Sequence, residues 1–302
     1  MQDKKDLIGV GAINIDYVCL VRKLAGLGEE ISIKKYFVSP GGSVPNTVIT
    51  LSLLGKKVAL SGAVGADYAG ECLLDFYKIN NIDTEQISVK DGVTGRAFIF
   101  LPELKRRRVI YPYIGVNKDL TDKDIDYKRF EDFKIIHMEF LDTPKQFKIQ
   151  KCLSTLDIDF SLSIGMIYAK KGLTTKIKTI LPNCKFVFLN EIELRVLTGS
   201  SSVTDGALML NKLGARIVVV TLGRRGCIVS SDEGMIRVPT EKIKVVDDTG
   251  AGDVFAGGFL YGVLERLSIE DCTKIGNRMA SFSIGDFGAT RGLFKQKDKG
   301  FF

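Results

Sequence analysis

Residues 245–260, VVDDTGAGDVFAGGFL, set glycines, acids and a threonine directly ahead of an apolar helical pattern. Gly250 and Gly252 can adopt backbone angles closed to other residues, so a chain leaving a strand at 245–246 could turn sharply and enter a helix near Asp253. The first amides of such a helix lack intrahelical acceptors, and with the helix dipole they attract an anion. Asp253 would repel that anion unless it has another task, and proton abstraction suits a carboxylate so placed. Asp248 adds negative charge that this chemistry leaves unexplained.

Other polar residues fall at the ends of apolar runs. A strand at 7–12 is followed by Asn14 and Asp16, two residues apart and therefore on one face. A helix opening after Gly41 and Gly42 carries Asn46, and a strand at 58–64 leads through Gly65 and Asp67 to a helix at 69–80. Glu139 closes a strand at 135–140. Helices are expected at 143–153, 174–180, 204–213, 253–264 and 273–284, and strands at 157–161, 186–189, 217–222 and 227–230. Asn190 and Glu193 follow the strand at 186–189, and Thr221, Gly223 and Gly226 surround a tight turn. Strands alternating with helices imply a parallel sheet covered on both faces, with a ligand beyond the carboxyl ends of the strands. Segments at 14–38 and 94–114 alternate differently. They are expected to form a small sheet over the site, with exposed apolar residues that need a second subunit or a substrate. The loop at 285–292 and the tail at 295–302 read as irregular.

Composition excludes several classes. The chain of 302 residues is 45% hydrophobic and 26% charged, which supplies a large buried core. No apolar run approaches the roughly 20 residues of a membrane span, and no targeting segment is visible, so a cytoplasmic protein is expected. Six cysteines stand singly without a CxxC pair, and the one histidine, His137, lies in a strand, so zinc sites and histidine triads have no material. The densest basic run, 105–108, has no interleaved aromatics and reads as a solvated loop, not a nucleic-acid site. GVGAIN at 9–14 fails as a dinucleotide fingerprint because Asn14 stands where the third glycine belongs, and no GxxxxGK[ST] occurs.

PGGSVPN at 40–46, GAVGAD at 62–67, NEIE at 190–193, TLGRRG at 221–226 and DDTGAGD at 247–253 together resemble the ribokinase-like (PfkB) family of carbohydrate and nucleoside kinases. The resemblance runs from about residue 7 to 292. It implies a three-layer α/β/α core with a mainly parallel central sheet plus a small β-sheet lid, a single domain over 1–302 with a discontinuous lid from about 14–38 and 93–115. It implies Asp253 as catalytic base and Gly250, Ala251 and Gly252 as the anion hole. Asn14, Asp16, Gly41, Gly42, Asn46 and Glu139 would hold the acceptor. Asn190, Thr221, Gly223, Gly226 and Asn277 would bind ATP, and Glu193 would organise Mg2+ through water. Asp247 and Thr249 match a potassium site of some members, against which the charge of Asp248 counts.

The implied reaction moves the γ-phosphoryl of ATP to a hydroxymethyl group of a small sugar. The alternative is a nucleoside kinase of the same fold, whose base would stack on an aromatic such as Tyr17, Phe98 or Phe100. A non-catalytic sugar-binding protein is a third reading, which Asp253 and both glycines oppose. A homodimer through the lid follows from the exposed apolar residues expected there.

Overall fold

The computed structural model describes residues 4–103, 108–241 and 243–300. Strand β1 (Lys5–Val10) is followed by β2 (Asn14–Val21), β3 (Ile33–Gly41), α1 (Ser43–Leu53), β4 (Val58–Gly65), α2 (Tyr68–Ile79) and β5 (Ile82–Lys90). The hairpin β6 (Gly95–Pro102) and β7 (Val109–Tyr113) interrupts this rhythm. It resumes with β8 (Phe133–Glu139), α3 (Pro144–Ser154), β9 (Asp159–Ser163), α4 (Met166–Ala169), α5 (Thr175–Ile180), β10 (Cys184–Asn190), α6 (Glu191–Thr198), α7 (Val203–Lys212) and β11 (Ile217–Thr221). The chain ends with β12 (Cys227–Ser231), β13 (Gly234–Val238), α8 (Ala251–Leu264), α9 (Ile269–Ser283) and α10 (Arg291–Lys297).

Nine strands form one sheet in the order β13-β12-β11-β10-β9-β8-β1-β4-β5, with every pair from β11 to β5 parallel and β12 antiparallel to both neighbours. Because strand residues alternate between faces, Ile8 and Val10 face one core with α3, α5, α6 and α7, whereas Leu7 faces the other with α1, α2, α8 and α9. The strands are therefore apolar on both faces, the continuous runs that mark a covered parallel sheet.

The chain runs outward from β1 to β4 and β5, then returns to lay β8 on the other side of β1. This reversal opens a crevice beyond the carboxyl ends of β1 and β8. A second sheet, in the order β3-β2-β6-β7, covers it. Asn14 and Asp16 belong to this lid, at the start of β2, and not to the end of β1.

Several local expectations change. The strand expected at 245–246 is absent, because the Val246 amide donates to the Ile284 carbonyl at 2.8 Å instead of to a sheet neighbour. Helix α9 starts at Ile269, capped by the Ser268 hydroxyl, four residues before the expected start at Thr273. Strands β5 and β13 were not expected; both are sheet edges whose mixed polar residues hide the alternation. Residues 291–297, expected as loop and tail, form α10, which buries Leu293 against α1 and α9. The final aromatics of the tail and residues 105–107 of the basic run lie outside the described residues.

Candidate active site

At the crevice the Ala12 amide donates to Glu139 Oε1 at 2.9 Å, tying the ends of β1 and β8 together. Burial pushes the Glu139 carboxyl up to about 7, and the charge of Asp253 adds to this against the Ala12 bond. Asp16 enters from the lid. It is only 7% exposed, and its Oδ1 is buried without a partner. Burial first, then the charges of Asp253 and Asp247, push it up to about 7. Gly41, on the paired strand β3, makes room for it, since a Cβ there would lie 1.9 Å from Asp16 Oδ1. Asn14 is engaged sideways, its Oδ1 accepting from Asn117 Nδ2 at 2.9 Å.

Two helix starts meet on Asp253. Ser43 and Asn46 lie three apart on α1, on one helical face. The Ser43 hydroxyl donates to Asp253 Oδ1 at 2.6 Å and Asn46 Nδ2 to Oδ2 at 2.9 Å, while Thr47 Oγ1 donates to the Asp253 carbonyl at 3.0 Å. The other Asn46 atom, Oδ1, is buried and unpaired. Burial pushes the Asp253 carboxyl up to about 6, against these bonds and the charge of Arg108. The carboxylate is thus held at both oxygens, with two unsatisfied buried acceptors nearby.

Gly250 caps α8 in the left-handed region at φ 70°, and no side chain caps the helix. The turn before it is braced by Asp247, whose Oδ1 accepts from the Thr249 amide at 2.9 Å and hydroxyl at 2.6 Å and whose Oδ2 accepts from the Gly288 amide at 2.9 Å. Ala251 and Gly252 line a cavity of about 670 Å³, together with Thr221, Gly223, Gly226 and Asn277. Asp253 follows Gly252 directly, so it stands where this cavity meets the buried acid side of the crevice. Asp16, Asn46 and Glu139 do not line the cavity, and neither do Asn190 and Glu193, expected on the nucleotide side.

Asn190 and Glu193 start α6 as a reciprocal capping box, with Asn190 N donating to Glu193 Oε2 at 2.8 Å and Glu193 N to Asn190 Oδ1 at 2.9 Å. Burial pushes the Glu193 carboxyl up to about 7, opposed by amide bonds from Asn190 and Met166, and it responds to the charges of Asp253 and Arg108. Among the described residues no three acidic, histidine or cysteine side chains converge as a metal cage. Glu193 offers one carboxylate at the start of α6, and Mg2+, which keeps several waters, binds through one or two carboxylates plus phosphate.

Sequence reasoning missed Ser43, although its three-residue spacing from Asn46 was a usable signal. It also missed Asn117, which no local pattern marks, and Arg108. That arginine is not a solvated loop residue: it lines the cavity and pairs with Asp248. The aromatics expected to meet a base stand elsewhere. Tyr17 pairs with Phe98, the two rings stacked at 5.3 Å, and Cys19 pairs with Phe100. All are out of phase with Asp16 and so lie on the opposite face of the lid. His137 is buried in β8 with Nδ1 against Ser161 Oγ at 2.9 Å, and burial pushes it down to about 3. No helix among the described residues is long and apolar enough to cross a membrane.

Residues 4–296 match the sequence model of the pfkB family of carbohydrate kinases. An uncharacterized sugar kinase of Archaeoglobus fulgidus is 34% identical over 82% of this chain and 99% of its own. The ribokinase of Lactococcus lactis is 27% identical over 95% of this chain and 93% of its own. Among solved structures, the adenosine kinase of Sinorhizobium meliloti superposes with a TM-score of 0.85 at 21% identity, covering 98% of this chain and 99% of that one.

Proposed function

The chain belongs to the pfkB family of carbohydrate kinases, and on that premise we propose that it transfers the γ-phosphoryl of ATP to a hydroxymethyl group of a small sugar. The observation that carries this reading is the Asp253 carboxylate, clamped by Ser43 and Asn46 between the cavity and two buried acceptors without donors, Asp16 Oδ1 and Asn46 Oδ1. Buried acceptors of this kind call for hydroxyl donors, which a sugar supplies in number. ATP occupies the cavity with its γ-phosphoryl at the start of α8. Asp253 takes the proton of the attacking hydroxyl. The acceptor oxygen bonds to the γ-phosphorus as the bond to the β,γ-bridging oxygen breaks, and ADP leaves with that electron pair. The amides of Gly250, Ala251 and Gly252 stabilise the charge of the transferring group. Glu193 would hold the water shell of Mg2+, which when bound supplies positive charge to the phosphate oxygens.

The sugar is preferred because Tyr17, Phe98 and Phe100 face away from Asp16, so none can stack on a base within the crevice. A nucleoside acceptor is the second reading, favoured by the apolar inner surface of the lid at Val18, Ala97 and Ile99. A monovalent cation at Asp247 and Thr249 would share a carboxylate that already accepts three hydrogen bonds. Six free thiols support a reducing, cytoplasmic compartment. The outer face of the lid exposes Tyr36, Val38, Phe98, Tyr111 and Tyr113. We assign it to a second copy of this chain, since a two-fold axis would set this largely apolar face against itself.

ADP release by purified protein with magnesium-ATP, measured against pentoses, hexoses, sugar phosphates and nucleosides, tests the reading. Stimulation by a sugar supports it, stimulation by nucleosides alone moves the assignment to the second reading, and no stimulation removes both. Repeating the assay in sodium and potassium decides the monovalent site, equal rates removing it.

A further inference from the structure

Asn117 is a buried amide, 4% exposed, to which phosphoryl transfer gives no task. It sits in a 3-10 turn, Gly115–Asp119, just past β7, where the lid returns to the core. Its Oδ1 accepts from the Ile13 amide at 2.9 Å, and its Nδ2 donates to the carbonyls of Ile13 and Ile114, both at 3.0 Å. Gln146 of α3 holds the turn from the other side, its Nε2 donating to the Asn117 carbonyl at 3.0 Å. Backbone groups therefore decide which way the Asn117 side chain faces. Reversed, it would set nitrogen against the Ile13 N–H and oxygen against two carbonyls.

This fixed amide dictates the orientation of a second one. Asn117 Nδ2 also donates to Asn14 Oδ1 at 2.9 Å, so the oxygen of Asn14 is turned inward and its nitrogen away. Asn14 Nδ2 has no partner among the described residues and is not among the buried orphan atoms, so it stays within reach of solvent. It belongs to the face of β2 that carries Asp16, whose Oδ1 is a buried acceptor without a donor. Gly95 of β6, paired with Asn14, leaves room for the two amides. A Cβ there would lie 2.1 Å from Asn14 Oδ1 and 2.2 Å from Asn117 Nδ2. A hydroxyl oxygen can accept from Asn14, whereas an ammonium group has donors only. We propose that Asn117 is a positioning residue for the acceptor: it locks Asn14 as a hydrogen-bond donor, so the group bound at Asn14 must be an oxygen and an ammonium in its place is rejected. The inference rests on the phosphotransferase reading.

Steady-state kinetics of the full chain test this, with magnesium-ATP and the sugar or nucleoside of highest rate in the ADP-release screen. Asn14→Asp keeps an oxygen for Asn117 and removes the donor. It should raise the acceptor KM by about tenfold or more, with kcat and the KM of magnesium-ATP within about threefold. Asn117→Ala lets the Asn14 amide rotate and should show the same split. Because it also strips three backbone groups of their partner, Gly95→Ala is the second probe: its methyl parts the two amides and leaves Asn117 in place. Adding Asn117→Ala to Asn14→Ala should raise the acceptor KM no further, as for residues acting as a unit. Among monodeoxy derivatives of the acceptor, the one lacking the oxygen held by Asn14 should have the same KM in wild type and in Asn117→Ala. The matching amino derivative should be a poor acceptor for the wild type and a better one for Asn14→Asp, which offers an acceptor to the ammonium. Additive effects, losses in kcat at unchanged acceptor KM, or an amino derivative used as well as its parent by the wild type would each overturn the proposal. If no sugar or nucleoside stimulated the wild type, the phosphotransferase reading would fall and this inference with it; if one did and Asn14→Asp and Gly95→Ala kept its KM, this inference alone would fall.

Discussion

Asp253 works as a base only when ionised, and burial places that ionisation at about 6. The rate at low acceptor concentration should therefore rise with pH through an acid limb centred near 6. A limb near the ordinary aspartate value of about 4 would show that another group titrates. Asp253→Asn should lower kcat by about 10²- to 10⁴-fold while calorimetry finds nucleotide binding within a few fold. The same acids govern stability. Asp16, Glu139 and Glu193 are pushed up to about 7 and Asp253 to about 6, against values near 4 in the unfolded chain. Between those limits the folded state keeps protons that the unfolded state has lost, so stability falls as pH rises through the window. His137, pushed down to about 3, acts in the opposite sense below its ordinary value, but it is one group against these acids. The melting temperature of the ligand-free protein should thus be lower at about pH 7.5 than at about pH 5.5, and Asp16→Asn should flatten the slope. A melting temperature that rose across this range would contradict the assignment of buried, proton-holding acids.

The start of α8 separates what a glycine does for the fold from what it does for a ligand. Gly250 has φ 70°, and a Cβ there would lie 2.2 Å from the Ala289 Cβ. Gly250→Ala should destabilise the protein by about 2 kcal/mol or more, read in denaturant melts. A Cβ at Gly252 would meet nothing within 4 Å, yet the residue lines the cavity. Gly252→Ala should leave stability unchanged or raise it by up to about 1 kcal/mol, as helix propensity requires. Its rate should nonetheless fall more than about tenfold, because the methyl displaces the phosphoryl group from its approach. Equal activity would show that this wall does not face the reaction. The α6 start shows a different economy of residues. Helix α6 was not among the expected helices, although the Asn190–Glu193 spacing is a capping-box signature as well as a site motif.

At the scale of the molecule, the small sheet turns Asp16 toward the crevice on one face and exposes an apolar surface on the other. Tyr111 is 61% exposed on that outer face. Sedimentation velocity should find a dimer that Tyr111→Glu converts to monomer, and a monomeric wild type would remove the assignment of this face to a second copy. The apolar runs of the parallel strands, the glycine turn before α8 and the acid three residues past it were all legible in the chain, because helix entry and strand burial depend on neighbours a few residues apart. So was the resemblance to a kinase family, which motif order alone carried. The clamp on Asp253 was not legible. Ser43 and Asn46 reach it across 210 and 207 positions, a meeting decided by how α1 and α8 pack on one face of the sheet. The aromatics Tyr17, Phe98 and Phe100 could be seen in the sequence, but which way they point depends on strand phase, and one residue of phase turned them from the crevice to the outside. The partner of Asp248, Arg108, likewise comes from just ahead of a lid strand, 140 positions away in the chain. Local pattern determines the elements and the residue types at their ends; sheet order and register, which are long-range, determine which of those residues share a site.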